Sequence, residues 1–112
     1  MKDDSFHEYV MSEVFRDIDG IASRHMFGGW GIYKEGVFFA LIGDGQLYFK
    51  VGGSNQSDYE KYGSEPFVYT GHNGKDVILS YWQLPTEIME GKDELVKWIE
   101  KSAGATKNSK KK

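Results

Sequence analysis

Between Met26 and Val51 the chain is dense in aromatic and β-branched residues, and two glycine-bearing breaks, Lys34-Glu35-Gly36 and Gly43-Asp44-Gly45, cut it into three runs. Runs of this kind separated by short turn signals fold as neighbouring strands. The block is read as a three-stranded meander. Its second run, residues 37–42, is apolar at every position, which places it centrally with both faces covered. In the third run Leu47, Phe49 and Val51 alternate with Tyr48 and Lys50, so one face is buried and the other at least partly wet.

Helical signals flank this block. Ser5 and Glu8 form a capping-box pattern, and Phe6, Tyr9, Val10, Val14 and Ile18 recur at helical spacing up to Gly20, predicting a first helix over residues 6–18. Gly52-Gly53-Ser54 breaks the sheet, and residues 55–62 predict a short second helix stopped by Gly63. Residues 67–70 and 77–82 read as two strands joined at the Asn73-Gly74 turn, and hence antiparallel. Pro85 ends the second of these, residues 86–90 suit one helical turn, and residues 92–102 carry a last amphipathic helix closed by Gly104. The expected order is α-β-β-β-α-β-β-α. It describes one α+β domain over residues 1–104, with helices packed on a mainly antiparallel five-stranded sheet. Residues 105–112, polar and basic, are expected to be a disordered tail.

At 112 residues the chain has the length of one domain, and its seven Phe, seven Tyr and three Trp supply enough bulk for a core without a disulfide or metal staple. With no cysteine, thiolate catalysis, Cys-ligated zinc and iron–sulfur clusters are excluded. The acidic N-terminus is unlike a secretory signal, and the longest apolar run has six residues, so neither export nor membrane spanning is expected. Net charge is −3, but four lysines fall in the last six residues, leaving residues 1–106 at −7. Such a body repels phosphate backbones. Direct nucleic-acid binding is therefore expected only weakly, through the tail.

The candidate chemistries are thin. His7, His25 and His72 show no metal-ligand spacing and read as solvated or structurally satisfied. No serine elbow occurs, and Gly74-Lys75 lacks the spacing and the Ser or Thr of a phosphate loop. The paired carboxylates suit helix ends and solvated surfaces. No cofactor or catalytic residue is assigned. Tyr48-Phe49-Lys50 is a faint match to a base-stacking sheet, in surroundings of the wrong charge. Three glycines in four positions, Gly28, Gly29 and Gly31, are costly in a strand and imply that something approaches that backbone closely: a bulge, a tight internal contact, or a docking surface beside Trp30.

Five ordered motifs then carry a resemblance: Arg24-x-Met26-Phe27-Gly28-Gly29-x-Gly31-x-Tyr33, Phe39-Ala40-Leu41-Ile42, Leu47-Tyr48-Phe49-Lys50-Val51, Gly63-Ser64-Glu65-Pro66-Phe67 and Ser80-Tyr81-Trp82-x-Leu84-Pro85. Over residues 6–103 the chain resembles the N-terminal domain of the TfoX/Sxy regulators of bacterial competence. The resemblance implies an α-β3-α-β2-α fold, a bacterial cytoplasmic setting, and a non-enzymatic role in transcription through a protein partner, as two-domain members act with the cyclic-AMP receptor protein. It supplies no catalytic residues. Arg24, Trp30, Tyr48, Lys50, Tyr81 and Trp82 are the expected partner-binding residues, because aromatic and cationic side chains dominate interfaces. The alternative is a small-molecule site or weak enzyme in a cleft near the glycine-rich strand, with Arg24 or Lys50 holding an anion.

Overall fold

The computed structural model describes residues 5–26, 29–43, 45–70, 74 and 76–110, with the side chains of 69–70, 76–79 and 108–110 left out of the description. Its order is α1 (Ser5–Tyr9), a π-helical turn (Val10–Val14), β1 (Ile21–Met26), β2 (Gly29–Lys34), β3 (Val37–Gly43), β4 (Gln46–Lys50), α2 (Gln56–Lys61), β5 (Pro66–Thr70), β6 (Asp76–Gln83), α3 (Thr86–Glu90) and α4 (Lys92–Lys110). All strands join one antiparallel sheet in the order β1-β2-β3-β4-β6-β5. The α+β class is as expected; the sheet has six strands instead of five.

The additional strand is β1. Residues 21–26 are poor in β-branched side chains, and β1 lies at the sheet edge in a mixed pattern of exposure, so neither composition nor periodicity marks it. The first helical segment ends at Val14 and does not run to Ile18. The helix widens instead at Val10–Val14, where the Phe15 amide donates to the Val10 carbonyl at 2.9 Å. A widened turn brings residues five apart onto one side. Val10 and Phe15 are therefore both buried, whereas Tyr9, expected in the apolar stripe, is 44% exposed.

One face of the sheet carries the core. Ile32, Ala40, Ile42, Leu47 and Phe49 from the strands meet Val10, Phe15, Tyr59, Leu84, Ile88, Leu95, Trp98 and Ile99 from the other segments. Register keeps this face continuous, since Ile32 pairs with Ala40 and Ala40 with Phe49. A register shift at Ile32/Tyr33 leaves Phe39 as an extra residue in β3, and a bulge of this kind lets it join Ala40 in the core. Asn55, 1% exposed, ties the end of β4 to α2: its Oδ1 accepts from the Gly52 amide at 2.7 Å and its Nδ2 donates to the Lys50 carbonyl at 3.1 Å.

The last helix also departs from expectation. It continues through Gly104 to Lys110, so Gly104 is not its stop and residues 105–110 are helical. A glycine inside a helix costs about 1 kcal/mol relative to alanine, and packing offsets it. Ala105 and Thr106 are buried, Ala105 lies against Gly52, and Thr106 Oγ1 donates to the Phe38 carbonyl at 2.6 Å. The expected Asn73 turn lies outside the described residues. The antiparallel pairing of β5 with β6 that it implied is present.

Candidate functional site

Strand alternation assigns the remaining side chains to the opposite face. Arg24 pairs with Gly31, Gly31 with Leu41, Leu41 with Tyr48 and Tyr48 with Gln83, giving one row across five strands. Beside it lie Met26, Tyr33, Phe38, Lys50, Phe67 and Tyr81. Their rings form a chain of contacts: Tyr33 to Phe38 at 5.3 Å, Phe38 to Tyr81 at 5.6 Å, and separately Tyr48 to Phe67 at 4.8 Å between centroids. The Lys50 ammonium sits 5.3 Å from the Tyr81 ring centre and donates to Ser80 Oγ at 2.8 Å.

None of these aromatics belongs to the core beneath the helices or packs against it. Leu41 is only 6% exposed, yet it too stands outside that core. It anchors a second, smaller apolar cluster on the far side of the sheet. Among the described residues no helix covers this cluster, and its rings remain half-buried. Burial and the neighbouring Tyr33 push the Tyr81 phenol from its ordinary 10.0 up to about 12, so it stays protonated and able to donate at neutral pH.

The expected site residues divide by face. Arg24, Tyr48, Lys50 and Tyr81 share the uncovered face. Trp30 and Trp82 do not: both pack against the helix-covered core. Trp30 is held between two imidazoles, His7 at 3.6 Å and nearly parallel, His25 at 3.7 Å, while His7 Nε2 and Ser23 Oγ share a hydrogen bond of 2.9 Å. Two rings so close to one indole centre lie on its opposite sides, so Trp30 docks α1 onto the edge of the sheet. Nor do the four remaining residues converge at one end, since three strand spacings, roughly 14 Å, separate Arg24 from Tyr48. Sequence reasoning singled out Met26 and Phe67 only as residues of the family motifs and missed Phe38; the place of all three depends on cross-strand register.

The glycine-rich strand has an internal explanation. A Cβ at Gly29 would stand 2.0 Å from the Ile42 carbonyl oxygen, and one at Gly31 would meet Met26 at 2.7 Å and Phe38 at 2.9 Å. Met26 and Phe38 thus fill the space over Gly31, where a ligand cleft was the alternative expectation. Phe27 and Gly28 lie outside the described residues. Among the described residues no cluster of three His, Cys, Asp or Glu suits a metal ion, and no helix is long and apolar enough to cross a membrane.

These features define a small α+β domain with one sheet face sealed by helices and the other, among the described residues, open. The model of the TfoX N-terminal domain family matches residues 13–106, and the chain belongs to that family. It is also 38% identical, over 71 residues, to the DNA transformation protein TfoX1 of Aliivibrio fischeri. The match covers 62% of this chain and 32% of that relative, so the chain spans about a third of its length.

Proposed function

We propose that this chain is a non-enzymatic regulatory module of bacterial DNA transformation that acts by docking a protein partner on the uncovered face of its sheet. The observation carrying this reading is the second apolar cluster: buried Leu41, paired with Tyr48 on the face that also carries Tyr33, Phe38, Phe67 and Tyr81, separate from the core and flanked by Arg24 and Lys50. Aromatic area beside cations is the composition of interface centres. Such a cluster adds little to the main core, so a use outside folding accounts for it. The name of the Aliivibrio relative supports a place in DNA transformation, and the family resemblance supports transcription machinery as the partner.

Capture of purified RNA polymerase and cyclic-AMP receptor protein, beside transcript levels of DNA-uptake genes in the host, tests the reading. A Tyr48→Ala/Tyr81→Ala variant that retains its circular dichroism spectrum should lose capture and the transcriptional response together. Unchanged capture and transcription would place the function elsewhere.

A further inference from the structure

The uncovered face also differs in charge from the rest of the molecule. Its strand residues carry Arg24 and Lys50 and, among the described residues, no carboxylate; Glu65, before β5, flanks the edge opposite Arg24. Grooves on the helical side are mixed in sign, one of them lined by Asp58, Lys61, Glu94, Lys97 and Lys101, another by Lys34, Glu35, Glu100 and Lys107. Within a chain of net charge −3, the described strand residues of this face carry two cations with no carboxylate between them.

Size narrows the occupant. A face six strands wide and about five residues long has a flat footprint of roughly 30 by 16 Å, which an extended segment of about ten residues crosses from edge to edge. A second copy of the chain would bring two cations against two. Nucleic acid would meet few cations and an acidic body. A short segment is the right scale, and the two cations fix its chemistry.

Resting on the docking reading above, we infer that the occupant is a short acidic and apolar peptide segment of the partner, with aromatic or aliphatic side chains over Leu41 and a carboxylate towards each of Arg24 and Lys50. The two cations stand on β1 and β4, about 14 Å apart across the strands. An extended segment spans this in about five residues and a helical one in about ten. Arg24 is exposed and its side chain makes no hydrogen bond or ion pair with another described residue, leaving its guanidinium available for bidentate pairing.

A phage library of random peptides of about twelve residues, panned on the full chain and counter-panned on an Arg24→Glu/Lys50→Glu variant, tests this. Enriched sequences should carry net negative charge around an apolar centre. A synthetic peptide of that consensus should bind the parent at least about tenfold more tightly than the variant, with the difference shrinking as salt rises. Arg24→Ala and Lys50→Ala should each weaken it about threefold or more with unshifted melting curves. Enrichment of neutral or basic peptides, no enrichment at all, equal binding to the variant, tighter binding of single-stranded oligothymidine, or a stable dimer in sedimentation would each overturn the inference. Should Tyr48→Ala/Tyr81→Ala still abolish partner capture in any of those cases, the docking reading survives and only the acidic segment is lost.

Discussion

Gly29 and Gly31 lie two residues apart on one strand, yet they are glycines for different reasons. At Gly29 the obstacle is a backbone carbonyl, which can move only with its strand; at Gly31 it is the flexible end of Met26 and the edge of Phe38. Gly29→Ala should therefore cost about 3 kcal/mol and Gly31→Ala about 1 kcal/mol, read as separate shifts in thermal unfolding. The sequence announced that something crowds this backbone, and it does. It did not say what, because the crowding side chain of Phe38 arrives through the pairing of β2 with β3. Tyr81 yields a second residue-scale prediction. Its folded value of about 12 lies above the ordinary 10.0, so its contribution to stability is full below pH 10 and is lost as pH rises towards 12. Tyr81→Phe should accordingly push alkaline unfolding to higher pH, and the missing tyrosinate absorbance at 295 nm should belong to the late part of the titration.

Most elements were legible where one local signal sufficed. Gly52-Gly53 marked the end of β4, Pro85 the end of β6, and the alternation of Leu47, Phe49 and Val51 with Tyr48 and Lys50 gave the two faces of β4. The failures are elements decided by partners far along the chain. Edge strand β1 forms because Arg24 and His25 pair with Gly31 and Trp30, and the π-helical turn forms because Phe15 packs on Phe39 and Phe49. Helix α4 passes Gly104 because Gly52 and Phe38 receive its far end. Truncation separates the two accounts of that end. Removing residues 107–112 should leave the melting temperature unchanged. Removing 105–112 should lower it by about 5 °C or more, since one net hydrogen bond of about 1 kcal/mol and two buried side chains go with it.

For the molecule as a whole, most of the described aromatic side chains divide between two clusters on opposite sides of one sheet, and among the described residues only the larger has helices over it. Four of the six expected site residues lie on the open side. The other two were excluded by the strand period itself, since neighbours such as Tyr81 and Trp82 face opposite ways. Nothing in the sequence showed how the Phe39 bulge would set the register that gathers Tyr33, Phe38 and Tyr81. The chain has no cysteine and, among the described residues, no metal-ligand cluster, so chelators and reductants should leave thermal unfolding unmoved; a loss of several degrees with chelator would contradict a core of this kind. Phe38 joins the two sides, its ring among the open aromatics and its carbonyl held by Thr106 at the end of α4. Any molecule that immobilises that ring must also steady the carbonyl behind it. Occupancy of the sheet should therefore be felt through its thickness, as slower amide deuterium exchange around residues 102–106, a segment the occupant never touches. By reciprocity, a bond that pulled on the far end of α4 would loosen the grip on whatever sits across the sheet.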